Sequence, residues 1–259
     1  MTLAHPAYGQ LRQVTPTAAV LLANNPGKMT LDGTNTWILR APGSDDLVVV
    51  DPGPKDSEHL DAVAEIGNVV LALVTHRHRD HTAGLKRFHK KTGAPIRAMS
   101  DEYVYGSTTL TDGEVIEAAG LKVTVLATPG HTADSLSFVL DDAILTGDTI
   151  LGRGTTVLDP TDGTLADYLT TLDRLEAVGA GKIALPGHGA EVADTAEVAR
   201  FYRQHRHERL AQVKAALDEI GHDAKPRHVV KHVYSDVDKK LWPAARMSVK
   251  AQLAYLREN

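Results

Sequence analysis

Short apolar runs, punctuated by turn residues, dominate the first three quarters of the chain. "TAAVLLAN" (17–24), "NTWILRA" (35–41), "DLVVVD" (46–51), "VVLALVT" (69–75), "LKVTVLATPG" (121–130), "SLSFVLD" (135–141), "AILTGDT" (143–149) and "KIALPGHG" (182–189) are rich in β-branched side chains. Runs of this length, bounded by Gly, Pro, Asn or Asp, read as strands, several of them buried on both faces. Helical spacing separates some of them, at 57–66, 81–92 and 164–178; in the last, Leu165, Leu169, Leu172 and Leu175 recur at helical intervals. Mixed strands and helices predict α/β layers.

Beyond Asp194 the pattern changes. "TAEVARFYRQHRHERLAQVKAALDEIG" predicts one long amphipathic helix stopped by Gly221, with shorter helices around 226–233, 237–241 and 244–257. The expected organisation is a first domain over 1–196 and a small helical domain over 197–259.

The length of 259 residues allows a large α/β domain with a sizeable core. Cysteine is absent, which excludes disulfides, thiolate metal sites and a cysteine nucleophile. Any metal must therefore be held by nitrogen and oxygen. No segment approaches the roughly 20 apolar residues of a membrane span, and the N-terminus lacks a leader pattern, so the expectation is a cytoplasmic protein with no membrane partner. The net charge of −5 is unevenly spread: residues 197–259 carry 13 Lys and Arg against 8 Asp and Glu. A basic end on an acidic body suits a polyanionic partner or an ordinary solvated helical surface.

The candidate chemistry lies at "THRHRDH" (75–81), three histidines and an aspartate in seven residues. Five strand-like runs end in a residue of ligand type: Asp51, His76, His131, Asp148 and His188. Carboxyl ends of strands are where α/β proteins gather sites from distant sequence. In extended backbone His76 and His78 project to one side and suit one ion, whereas Asp80 and His81, past the turn, address a neighbouring one. His131 can complete the first site, His188 the second, and Asp148 can bridge both. Asp51 reads as a residue that orients a ligand or caps a turn. His5, His89 and His222 fall outside the pattern and read as surface residues.

With these residues in place, the chain resembles the metallo-β-lactamase fold superfamily, whose H-x-H-x-D-H signature is His76, His78, Asp80 and His81, followed by His131 in "TPGHT", Asp148 in "TGDT" and His188 in "PGHG". The resemblance implies an αββα sandwich of two mixed sheets flanked by helices, with the metals at one sheet edge. A narrower resemblance, carried by "MTLDGTNTWIL", "GDTILGRGTT" and the helical end, is to the beta-lactamase-like protein 2 family. It implies a small winged-helix-like C-terminal domain, here with its β-wing missing or very short, and cleavage of single-stranded RNA as known for some members.

Two adjacent divalent ions acidify a shared water and polarise the bond under attack, so the expected reaction is hydrolysis by metal-bound hydroxide, oriented by Asp80. Histidine and aspartate donors suit two Zn2+ first, with Mn2+ or Fe2+ as options. An aspartate at 148 is the pattern of glyoxalase II-like thioesterases and phosphodiesterases, and leaves β-lactam turnover at most a side activity. The first expectation is a phosphodiesterase or endoribonuclease on single-stranded RNA, supported by the basic end and by Arg77 and Arg79. The alternative is a thioesterase acting on acyl-glutathione, acyl-CoA or acyl-carrier-protein. Iron-dependent oxidation is a further option, without the flavodoxin or rhodanese-like segment that such chains carry. A non-catalytic module would have lost ligands, and all seven are present. Asn35 can contact substrate or organise a neighbouring loop; Arg153 and Thr155 can line the pocket or sit on a mobile loop; Lys231, His232 and Arg246 are candidates for polyanion contact. Homodimerisation stays open.

Overall fold

The computed structural model describes residues 5–159 and 161–258. Eleven strands and seven α-helices are found among them. The first sheet has the order β1 (Arg12–Gln13), β2 (Ala18–Leu22), β3 (Asn35–Leu39), β4 (Asp46–Val50), β5 (Asn68–Leu73), β6 (Ile96–Arg97). The second runs β11 (Ile183–Pro186), β10 (Ala143–Gly147), β9 (Leu136–Val139), β8 (Leu121–Ala127), β7 (Val115–Ala118). Both sheets are mixed: β4, β5 and β6 pair in parallel, as do β10 and β11, and the remaining pairs are antiparallel.

The burial of both faces follows from the period of two along a strand. Val20, Trp37, Val48, Val50 and Leu73 point inward and meet Val123, Val125, Phe138, Leu145 and Leu185 of the second sheet. Their neighbours Ala19, Leu21, Ile38, Leu47 and Val49 point outward and are covered by Leu60 and Val63 of α1 (Ser57–Ala64) and by Leu85 and Phe88 of α3 (Leu85–Thr92). On the other side Ile144 and Ala184 pack under α4 (Leu165–Gly179) and the first half of α5 (Thr195–Ile220). A helix-sheet-sheet-helix sandwich results. Each fully buried aliphatic side chain contributes about 1.5–3 kcal/mol of transfer free energy, which is why apolar residues dominate the strands.

The helices start where the sequence offers a cap. Asp56 accepts from the amides of Glu58 and His59, Thr164 from Asp167, and Asp194 from Glu197. The helical segment expected at 81–92 divides into α2 (Arg79–Thr82) and α3. Gly84 separates them: its amide bonds to the carbonyl of Gly53, and a Cβ there would lie 2.8 Å from the carbonyl oxygen of Pro54. Strands β1, β6 and β7 were not among the expected runs. The segment expected at 237–241 forms only a 3-10 turn, Lys239–Leu241.

After α5 come α6 (Pro226–Val233) and α7 (Trp242–Glu258), and no strand follows β11 among the described residues. The boundary expected at 196 falls inside α5. Its Ala199 and Tyr202 belong to the core under α4, whereas Val213 and Leu217 pack with α6 and α7. No described helix is long and apolar enough to cross a membrane.

Candidate metal centre

Parallel pairing decides where the ligand-type residues meet. Because β4 and β5 run the same way, Asp51 and His76 leave the first sheet at one edge; β8, β10 and β11 likewise share a direction and bring His131, Asp148 and His188 to one edge of the second. Backbone bonds stitch the two edges together, Leu136 to the carbonyl of Thr75 at 2.7 Å and Asn35 to that of Gly187 at 2.8 Å.

Two groups of donors converge there. His76, His78, His131 and Asp148 form one, and Asp80, His81 and His188 the other. In the first, His78 Nδ1 is 3.1 Å from His76 Nε2 and 3.0 Å from His131 Nε2. In the second, Asp80 Oδ2 is 3.3 Å from His81 Nε2 and 3.1 Å from His188 Nε2. Asp148 lies between them. Its Oδ2 is 3.7 Å from His131 Nε2 and 3.3 Å from His188 Nε2, and its Oδ1 is 3.6 Å from His81 Nε2.

Every one of the five imidazoles is gripped from behind. His131 Nδ1 faces the carbonyl of Val157 at 2.6 Å, and His188 Nδ1 that of Gly33 at 2.9 Å. His78 Nε2 is 3.0 Å from the Asp159 carboxylate, and His81 Nδ1 is 2.8 Å from that of Asp51. The Thr75 hydroxyl donates to Asp51 Oδ2 at 2.6 Å, which leaves its lone pair to accept from His76 Nδ1 at 3.0 Å. These acceptors assign the ring protons to the outer nitrogens. The inward nitrogens are then lone pairs crowded against one another, an arrangement that a cation resolves. His81 Nε2 and Asp148 Oδ1 are buried without a hydrogen-bond partner. The donor set therefore fits two divalent ions.

Electrostatics point the same way. Burial, helped by the charge of His81, holds His76 well below the ordinary imidazole range, and burial lowers His131 too. Burial also opposes charge on His188, yet Asp148 and Asp80 outweigh it and push that ring up to about 9. For Asp148 burial favours the neutral acid, but His188 and His81 keep it well below the usual carboxylate range. The carboxylates demand positive charge in this space. Protons on His81 and His188 can meet that demand, but only cations also use every inward lone pair.

The turns are built for close approach. A Cβ on Gly187 would sit 2.5 Å from Asp148 Oδ1 and 2.9 Å from His81 Cε1, so the "PGHG" turn needs glycine to pass behind the ligands. Asp51 takes a left-handed φ of 51°, which costs on the order of 1 kcal/mol outside glycine and aims its carboxylate at three donors.

The remaining expectations fare differently. Asn35 is buried, its amide donating to the carbonyls of Pro186 at 2.9 Å and Gly189 at 2.8 Å. It organises the turn bearing His188 and offers no surface to a substrate. Arg153 is exposed and paired with both oxygens of Asp32, and Thr155 is half-buried on the same loop. Arg77 is bound to Asp159, Thr161 and Asp162. His232 lies 3.1 Å from Glu219, while Lys231 and Arg246 are exposed on the α6 and α7 end. Of the histidines read as surface residues only His222 is exposed; His5 sits 3.4 Å from Asp32, and His89 bonds the Ala94 carbonyl at 2.8 Å. His59, which the strand-end pattern missed, is buried behind the site, 2.8 Å from the Thr36 hydroxyl that donates to the Asp51 carbonyl.

Comparison with known proteins adds to this geometry. Residues 29–188 match the Metallo-beta-lactamase superfamily, and residues 226–259 the Beta-lactamase associated winged helix domain. An "Atrochrysone carboxyl ACP thioesterase" of Aspergillus chevalieri is 32% identical over 225 residues, covering 83% of this chain and 70% of the relative. A "Beta-lactamase-like protein 2 homolog" of Caenorhabditis elegans is 32% identical over 250 residues, covering 91% and 82%. Among solved structures, a beta-lactamase domain protein from Burkholderia ambifaria superposes with a TM-score of 0.80 at 20% identity, over 98% of this chain and 90% of that one.

Proposed function

The chain belongs to the metallo-beta-lactamase superfamily and is a hydrolase of that superfamily; from that premise we propose that it hydrolyses thioesters, acting on acyl groups carried by coenzyme A or by an acyl carrier protein. His76, His78 and His131 would hold one divalent ion, Asp80, His81 and His188 the other, and Asp148 both, with zinc the first choice for these donors and manganese or iron as options. When bound, the ions supply an acidified water and polarise the carbonyl under attack.

The chain's own residues set the rest. Asp80 Oδ2 is engaged by Thr34 at 3.2 Å and by His81 and His188, and those two rings, against burial, keep the carboxylate ionised. Its other oxygen is left to accept from, and so orient, the attacking water. The observation that carries the thioester reading is the state of Arg77 in the ligand loop and of Arg153 in the loop after Asp148; Arg79 has no ion-pair partner among the described residues, and it lines a cleft with Thr82 and Lys86 outside the two donor groups. Arg77 is spent on Asp159 and Asp162, and Arg153 on Asp32, so neither is free to neutralise a phosphodiester. A departing thiol, with a pKa near ~8.5, needs no protonating acid, whereas an alkoxide does. The relatives named as carrier-protein thioesterases support the same reading.

The test is hydrolysis by the zinc- or manganese-loaded protein of acyl-CoA, acyl-carrier-protein and a fluorescent single-stranded RNA in parallel. Thioester turnover is expected; RNA cleavage without it overturns the reading. The RNA phosphodiesterase keeps one observation in its favour, a cleft of about 280 Å³ lined by Lys225, Arg227, Arg246 and Lys250 with no carboxylate.

A further inference from the structure

Beside the metal ligands lies a second cleft, of about 890 Å³, between α1, α3 and the segment 102–105. Lys55, Arg79, Lys86 and Lys90 line it and have no ion-pair partner among the described residues. Two further cations, Arg87 and Lys91, pair with Asp61, at 3.2 and 3.0 Å, and Lys91 also lies 3.8 Å from Glu65. Among the described residues Glu102 is the only other acid lining it. Lys86 and Lys90 stand four residues apart on α3, where like charges repel unless an anion lies between them. The wall is completed by the half-buried rings of Tyr103 and Tyr105.

Unpaired cations ask for phosphate, and aromatic faces beside them suit a base. The volume falls in the range of roughly 300–1,000 Å³ that encloses small ligands, whereas a protein partner would need a broad, flatter face. The position matters as much. Arg79 and Thr82 line the cleft, while Asp80 and His81 of the same helical turn belong to the metal ligands. One turn of α2 thus separates an anion-binding wall from the reacting centre.

We propose that this cleft binds the phosphorylated adenosine of a coenzyme A thioester and so selects coenzyme A over other acyl carriers. The inference rests on the thioesterase reading for its substrate, but its binding step can be measured without any hydrolysis.

The experiment has two arms, both on the full chain and on the Lys86→Glu/Lys90→Glu variant, whose side chains are exposed and belong to neither donor group. Calorimetric titration with adenosine 3',5'-bisphosphate is expected to show binding that weakens roughly tenfold or more in the variant, as expected for losing one or two charge-assisted contacts, with adenosine alone not binding. Kinetics should show KM for acyl-CoA rising by a similar factor while kcat, and turnover of the matching N-acetylcysteamine thioester, stay unchanged. No bisphosphate binding, equal binding by the variant, or an equal loss on both thioesters would overturn the proposal, as would charge-sensitive binding confined to single-stranded RNA or to an acidic carrier protein. If the bisphosphate binds as expected and neither thioester is cleaved, the cleft is a nucleotide site and it is the thioesterase reading that has failed.

Discussion

Asp51 and His81 are joined by a 2.8 Å contact between a carboxylate oxygen and the ring Nδ1, and the same oxygen takes the Thr75 hydroxyl that backs His76. One side chain thereby sets the orientation of a ligand in each donor group. An asparagine would present one acceptor to three donors. Asp51→Asn is expected to weaken metal binding roughly 10- to 100-fold, in both groups together, as judged by competitive chelator titration. Loss from one group alone would contradict the shared role.

Gly187→Ala tests the close approach behind Asp148. The added methyl would meet Asp148 Oδ1 and His81 Cε1 inside contact distance. Elemental analysis should show less bound metal, and hydrolysis should fall with it, while the far-ultraviolet circular dichroism spectrum is kept. Unchanged metal content would mean that the turn can move aside.

Asp148→Ala removes the carboxylate that touches both groups. Hydrolysis should be abolished and bound metal reduced with the fold largely intact. In the unaltered protein, saturating zinc at ~100 times Kd should add about 2.7 kcal/mol of stability, a rise in Tm of roughly 5–10 °C that a chelator reverses and that Asp148→Ala largely lacks.

His59 gives a pH dependence separate from the ligands. Burial, only partly offset by Asp56, lowers its pKa to about 4. The unfolded chain binds a proton here below about 6.5 and the folded one does not until about 4, so stability is full above the first value and declines as pH falls between the two. The decline amounts to about 3 kcal/mol at most. Urea denaturation of His59→Gln between pH 7 and 4 should show a shallower loss than the parent; an identical slope would mean that the ring titrates normally.

Much of the fold was legible because burial on both faces writes itself as unbroken apolar runs, as in Leu47 to Val50, and because the turn residues closing those runs stand beside Asp51, His131, Asp148 and His188. What escaped is what depends on distant pairing. Strand β6 has two residues and exists through its parallel register with β5, which no local periodicity records. In sequence Arg77 looks like a free phosphate binder and Arg153 like a pocket or loop residue, yet their carboxylate partners lie 82 and 121 residues away. Asn35 sits in a turn motif that suggests exposure, but the second sheet closes over it through Pro186 and Gly189. His59 follows no strand end and is caught only once Thr36 is seen to face it.

Helix α5 is the strut on which the far side of the ligand set leans. Arg206 donates to the carbonyl of Thr156, and Tyr202 to that of Gly154, in the loop whose Val157 carbonyl and Thr156 hydroxyl back His131 and whose Asp159 backs His78. Sawing the molecule at residue 196 would therefore take away the scaffolding pole that keeps two imidazoles aimed.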